Sequence, residues 1–399
     1  MLPIPFPMLA VWNRAFPFLL SNSRYNDFIT KVRALRCNDE REEVMGTLIS
    51  VASGKGGVGK SVVSANLALA LAKSGRRVIL ADLDVGGADA HIMFGELNPS
   101  VTLTDFLNKR VRLDEVAIPV TVHPNLRLIA GTGDTLATAN MAYARKKRLM
   151  KQFQDLEADI VVIDIGAGTS YHALDFFLMA DIHLAVATPE PTSVLDLYRF
   201  IKLAAIRRVL SCFLARSPLS ETLSNRDFTS VEEVMEVASV ADEEGRDAAV
   251  VTLQSFRPGL IINRMSNGSQ VNVLYLRKVL HQYVGGDLMM LGEIPDDPAV
   301  SLAVRKFLPV IEAAPESSAA KGLLAVSAAV EQLVSASVGR SIVKMKQSEK
   351  KQTTVSLSNP AFAQDSQASP PLKPEVSASI EPGQPACARP LHNTSGLVA

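Results

Sequence analysis

From about Thr47 onward, short and almost continuously apolar runs alternate with longer stretches of helical periodicity. The apolar runs are Leu48–Ala52, Val78–Asp82, Leu126–Ala130, Ile160–Asp164, His183–Thr188, Leu260–Asn263 and Leu288–Gly292. Strands that alternate polar and apolar residues show one face to water. These runs do not alternate, so they read as strands covered on both faces, as in a parallel sheet. The helical stretches between them supply right-handed crossovers. The pattern predicts an α/β fold: a doubly wound, mainly parallel sheet with helices on both faces.

The same reading divides the chain. Residues 1–45 show no clear periodicity beyond one helix around Tyr25–Leu35, and are expected to be an extension of a domain spanning 46–338. Within that domain, 211–257 lie between a helix and a strand and read as a helical insertion. Ser230 and Glu233 have capping-box spacing. Val231, Val234, Met235, Ala238 and Ala241 follow at helical spacing. From about Gly339 the composition turns to Ser, Pro, Gln, Ala and Lys, so 339–399 are expected to be a disordered tail.

Composition narrows the function classes. The 399 residues carry 41 Lys and Arg against 41 Asp and Glu, so no global basic field holds nucleic acid, and DNA binding needs a local patch. The three cysteines, Cys37, Cys212 and Cys387, form no CxxC pair, which argues against a disulfide framework, a zinc site or a cluster held within one chain. No uninterrupted apolar run of 18 residues appears. The apolar start is broken by Pro3, Pro5, Pro7, Arg14 and Pro17 and has no basic lead, unlike a secretory signal.

The chemistry is concentrated after the first strand. Gly54-Lys55-Gly56-Gly57-Val58-Gly59-Lys60-Ser61 fits G-x-x-x-x-G-K-[ST], with an apolar strand before it and a helix after it. Glycines let the backbone curl so that several N–H groups point at one phosphate, and the helix N-terminus adds its dipole. Lys60 would bridge the β- and γ-phosphates, and the Ser61 hydroxyl would ligate Mg²⁺.

The form KGGVGKS, with the extra Lys55, resembles the deviant Walker A motif of the MinD, ParA and FlhG ATPases, a SIMIBI-type branch of the P-loop NTPases. The resemblance covers about residues 47–335. It implies that Lys55 reaches the partner's phosphates across an ATP-bound homodimer. Asp82-Leu83-Asp84-Val85-Gly86 resembles the family's switch I, with Asp84 orienting the attacking water and Asp82 supporting Mg²⁺. Asp89 departs from the usual Asn. Asp164, followed by Ile165-Gly166-Ala167-Gly168, resembles the family's Mg²⁺-binding strand end and switch II. Gly166 and Gly168 would let a backbone amide approach the γ-phosphate, and Ile165 replaces the usual hydroxyl residue. Asn263-Arg264 and Pro295-Asp296 match the family's adenine wall.

The cofactors so implied are ATP and Mg²⁺, and the partners are a second copy and an unidentified activator or cargo. Metal-cluster branches are disfavoured by the cysteines, tyrosine-kinase branches by a tail without tyrosine after Tyr283, and amidase branches by the lack of room for a glutaminase domain. The segment GAGTSYHALDFFLMAD is closer to MinD and FlhG than to plasmid ParA. The expected role is a cytoplasmic switch ATPase positioning a flagellum, division site or other cargo, with peripheral membrane contact through 338–351. The alternative is a ParA-like ATPase on non-specific DNA. The charges Arg199, Lys202, Arg207 and Arg208 read either as a solvated face or as a docking face.

Overall fold

The computed structural model describes Gly46–Ser356, apart from 85–86, 88, 132–140, 215–225, 227, 240–241, 267, 269–270, 272–275, 279–280 and 282–286; the side chains of Leu214, Ser239, Glu244 and 338–356 are also outside the description. Among the described residues, eight strands form one sheet: β1 Thr47–Ala52, β2 Val78–Leu83, β3 Ile118–Pro119, β4 Leu126–Ile129, β5 Ile160–Ile165, β6 Ile182–Ala187, β7 Gly259–Met265 and β8 Met289–Pro295. Their order is β3-β4-β2-β5-β1-β6-β7-β8, parallel throughout except that β3 runs antiparallel to β4. The seven expected strands are all present. The eighth, β3, has two residues and one of them is Pro119, which is tolerated there because the strand lies at the sheet edge. Two residues are too few to show a strand period.

The helices are α1 Lys60–Lys73, α2 Leu103–Leu107, α3 Leu113–Val116, α4 Tyr143–Gln154, α5 Tyr171–Met179, α6 Pro191–Leu214, α7 Val231–Ser239, α8 Glu243–Gln254, α9 Pro298–Arg305, α10 Val310–Ala313 and α11 Ser318–Ser356. They cover both faces. In β1, Leu48 and Ala52 pack into a cluster with α2 to α8, while Ile49 and Val51 pack with α1 and α9 to α11. Every residue of β1, β2 and β5 is buried, which is why their sequences lack alternation.

The insertion holds α7 and α8, packed against α6, which itself continues to Leu214. Ser230 accepts the Glu233 N–H at 3.2 Å, but the Glu233 carboxylate turns to the N–H and hydroxyl of Thr229 instead of completing the capping box. Val231, Val234 and Ala238 are buried as expected, and Ala241 lies outside the described residues. Also outside lie the extension 1–45, Cys37, Cys387, Val85, Gly86 and the tail beyond Ser356. The backbone of α11 is helical to Ser356, past the composition change at Gly339, because Ser, Gln and Lys tolerate helix well when no proline intervenes. Ser318–Ser337 is apolar and long enough on average hydropathy to cross a membrane. Here Ala319, Ala320, Leu323, Val326, Val330 and Val334 are buried against the sheet's second cluster.

A buried ion group binds the helical layer together. Asp175 on α5 accepts from Lys146 of α4 at 2.6 Å and from Arg207 of α6 at 2.9 Å, with Lys146 and Asp175 both nearly inaccessible. Arg207 also lies over the Tyr171 ring. Replacing Asp175 with Ala is expected to destabilise the fold by about 3–5 kcal/mol, because it strands the Lys146 charge in the interior. Urea unfolding measures this, and a change under about 1 kcal/mol would show that the pair carries little of the packing between these helices.

Candidate functional site

The site lies at the carboxyl ends of β1, β2 and β5, at the centre of the sheet, where helices leave toward opposite faces and a crevice opens. The loop from Ser53 to Gly59 joins β1 to α1. Two glycines explain its shape. Gly59 has φ +85°, and a Cβ there would strike the Asn263 side-chain amide. A Cβ at Gly54 would strike the main chain of Asp196 and Leu197, so the loop can seat against α6 only without one. Gly56 and Gly57 face open space, leaving the concave side of the loop accessible. Ser53 Oγ donates to the Lys55 carbonyl at 3.0 Å, and the Ser53 carbonyl accepts the Gly168 N–H at 3.0 Å. The loop and switch II are thus joined by backbone.

Three acids converge near Lys60. The Lys60 ammonium donates to Asp164 Oδ1 at 2.8 Å, lies 3.7 Å from Asp84 Oδ2 and is 3.5 Å from Ser61 Oγ. Asp82 and Asp164 are register partners on β2 and β5, and both are completely buried. Ser64, one turn along α1 from Lys60, donates a second hydrogen bond to Asp164 Oδ1 at 2.8 Å. Asp164 Oδ2 has no hydrogen-bond partner. Burial, with the neighbouring Asp164 carboxylate adding to it, pushes the Asp82 carboxyl up to about 7, against hydrogen bonds from the Asp84 and Ala90 N–H groups. Those two bonds, at 2.9 and 3.1 Å, fold the switch I loop around Asp82. The Asp84 carboxylate lies against Gly166: a Cβ there would sit 3.1 Å from Asp84 Oδ1.

Two buried carboxylates, one with an orphaned oxygen, and a serine hydroxyl beside them form an oxygen-rich donor set of the kind a hard divalent cation takes. Mg²⁺ fits this arrangement with Ser61, Asp82 and Asp164 around it. Phosphate fits the loop: Gly56 and Gly57 leave its concave side clear, the α1 N-terminus points into it, and Lys60 lies at its edge.

The remaining sequence candidates take several places. Lys55 is exposed, and its ammonium donates to the Thr192 hydroxyl of its own chain at 3.2 Å. Val58 is buried, and its carbonyl accepts from the Asn263 amide at 2.8 Å, so Asn263 braces the phosphate loop. Arg264 has φ +59° and its Nε is 3.7 Å from Asp296, while the Asp296 N–H bonds the Met265 carbonyl at 2.8 Å. Pro295 ends β8 against Gly322 of α11. Gly168 has φ +91°. Ile165 is buried in the cluster that holds α2 to α8, so the hydroxyl usual in its place has no counterpart here. Asp89 is exposed.

Three contributors had no motif to mark them. Ser64 is legible only as the residue one helical turn after Lys60. Thr192 receives Lys55. Glu190 is held below the usual carboxylate range mainly by the Thr188 hydroxyl, with help from the charges of Arg264 and Lys55. It therefore belongs to the same rim.

The family described as "ParA: NUBPL iron-transfer P-loop NTPase" matches residues 45–210, which hold the phosphate loop and both switches. The chain is 31% identical to the antiactivator FleN of Pseudomonas aeruginosa over 288 residues, covering 71% of this chain and 86% of FleN. The chain belongs to the MinD/ParA family of P-loop ATPases. It is also 34% identical to the flagellum site-determining protein YlxH of Helicobacter pylori over 161 residues, 39% of this chain and 52% of YlxH. The fold matches that of the Pyrococcus furiosus cell division ATPase MinD with a TM-score of 0.51 at 24% identity, over 72% of this chain and all of that one. The MinD/ParA membership accords with the buried Lys60–Asp164 pair at the mouth of a glycine loop. Of the three cysteines only Cys212 is among the described residues; it sits on α6 at 3.7 Å from Thr252.

Proposed function

We propose that this chain is a cytoplasmic, dimerising switch ATPase of the MinD and FlhG type, which positions a flagellum, a division site or another large cargo by binding and hydrolysing ATP. The observation that carries this reading is the cluster of Lys60, Asp82, Asp84 and Asp164 at the phosphate loop, with Lys55 exposed beside it. The similarity to FleN and to YlxH, whose name ties it to flagellar site selection, supports the flagellar or division-site branch.

ATP with Mg²⁺ would supply the transferable phosphoryl group and neutralise its developing charge. The chain's own residues do the rest. Lys60 exchanges its bond to Asp164 for the β- and γ-phosphates, freeing a buried carboxylate for the cation site. Ser64 keeps its bond to Asp164 and fixes the carboxylate's orientation. Asp84, at the hinge of the loop folded on Asp82, orients the attacking water. Gly168, bonded to Ser53, carries the state of the loop into α5. Lys55 leaves Thr192 to reach the phosphates of a second copy, and so makes hydrolysis depend on dimerisation. Arg264, Asn263, Pro295 and Asp296 form the adenine wall. Helix α11 beyond Val338, with Arg340, Lys344, Lys346, Lys350 and Lys351, is the segment that would touch an anionic membrane.

Co-sedimentation with anionic vesicles tests the surface used. Binding with ATP and release with ADP is the expected result. Binding to duplex DNA that falls steeply with salt, with none to vesicles, would replace this reading by a DNA-partitioning one. A chain beginning at Met45 is expected to hydrolyse ATP at the full chain's rate, since residues 1–44 hold no motif residue and β1 is complete without them. An insoluble or inactive product would make the extension part of the fold.

A further inference from the structure

Two faces of the helical layer are oppositely charged and unused by the nucleotide site. On α4, Leu149, Met150 and Phe153 are buried, while Arg145, Lys147, Arg148 and Lys151 are exposed. The spacings i, i+3 and i+4 place these four cations along one side of the helix, about 9 Å from end to end. The helix contains no acid, and Asp155 follows at its C-cap. In the insertion, Val231, Val234, Ala238, Ala249 and Leu253 are buried toward α6. The outer side shows Glu232 and Glu236 on α7, and Glu243 and Asp247 on α8, both pairs at i and i+4 spacing, with Arg246 as the exposed cation between them. Among the described residues, none of these eight side chains takes part in an ion pair.

The two faces cannot neutralise each other within one molecule. Helix α4 packs on α5, α5 on α6, and α6 on α7 and α8. At about 8–10 Å per helix neighbour, the basic and acidic faces are on the order of 25 Å apart. That is well beyond the Debye length of roughly 8 Å at physiological salt. Neither face shows a large apolar side chain of its own helix except Tyr143, so bilayer insertion has no means here. Nucleic acid could use only the basic face and would leave the acidic face of α7 and α8 without a partner, whereas a second copy of the chain uses both.

We infer that the basic face of α4 docks the acidic face of α7 and α8 on a second copy of this chain. Each copy offers both halves of the contact, and the surface is separate from the phosphate-loop face that the switch reading assigns to the ATP-bound dimer. The inference goes beyond that reading and does not need it. The contact joins charged, solvated groups, so it is salt-sensitive and reversible, and it strengthens where copies are concentrated by another interaction.

Sedimentation velocity of the full chain with ADP, which leaves the ATP-driven contact unformed, tests this. At about 0.02 M salt the mass should rise with protein concentration, and at about 1 M salt the chain should be monomeric. Two reversal variants, K147E/R148E/K151E and E232K/E236K/E243K, should each weaken self-association at least about tenfold. Mixed together they should restore it, because each supplies the charge the other's partner face now needs. Circular dichroism and dilute ATPase activity should match the original chain in both, since all six residues are exposed and remote from Lys60. The inference is overturned if the original chain stays monomeric at low salt, if either variant associates as the original does, or if the mixture stays monomeric. A monomer that binds duplex DNA or anionic vesicles through the same α4 cations also overturns it.

Discussion

Replacing Lys60 by alanine is expected to reduce ATP affinity by about 100-fold or more, because two charge-assisted hydrogen bonds to phosphate, each worth ~1.5–3 kcal/mol, are lost together. The structure adds a second consequence. Lys60 is 6% exposed and holds the fully buried Asp164, which has one oxygen already without a partner. Alanine leaves two buried carboxylates, Asp82 and Asp164, without the cation between them, so the nucleotide-free protein should also lose stability. The variant K60Q separates the two effects: its amide can still donate to Asp164, but it brings no charge to phosphate. Calorimetric titration with ATP should show binding lost in both variants, and thermal unfolding should show the larger stability loss in K60A. ATP affinity unchanged in K60Q would remove Lys60 from the phosphate site.

The second large effect separates Lys55 from Asp84. Lys55→Ala should leave ATP binding and stability within about 0.5 kcal/mol of the original, since within its own chain it loses an exposed hydrogen bond to Thr192 and a solvent-screened attraction to the exposed Glu190. Hydrolysis and ATP-dependent dimerisation should both disappear, because the charge that would cross to the partner's phosphates is gone. Asp84→Ala should also spare ATP binding and stop hydrolysis, yet it should trap the dimer, since nothing on its side draws the copies apart once the water is no longer oriented. Light scattering with ATP distinguishes the two. Monomers from both variants, or dimers from both, would contradict the roles given to these residues.

Much of the fold was legible because burial on both faces writes itself into composition. Strands β1, β2 and β5 are buried along their whole length and apolar except at Thr47, Ser50, Asp82 and Asp164, and their ends could be read to within a residue or two. The edge strand β3 could not be read, since two residues ending in proline have no periodicity. Helix α11 runs past Gly339 for a related reason: a change in composition marks the loss of a core face, and a helix can outlast its core face. The half-formed capping box at Ser230 shows the limit of spacing rules. Glu233 had two acceptable partners one residue apart, and packing selected Thr229.

The sequence by itself determined the strand–loop–helix carrying KGGVGKS, and the strands that end in Asp82 and Asp164. Those features are local: apolar runs, glycines and a lysine at fixed spacing dictate their own backbone. What only the tertiary structure decided is how residues a hundred positions apart share one largely buried volume. The parallel register of β2 with β5 sets Asp82 beside Asp164, which burial and repulsion turn into a costly pair. The packing of α1 against β5 brings Ser64 and Lys60 to the same carboxylate oxygen. Asn263 reaches the phosphate loop from β7 across 205 residues of chain. Each of these depends on distance in space and on the low polarity of the interior, and neither is written in the spacing of residues along the chain.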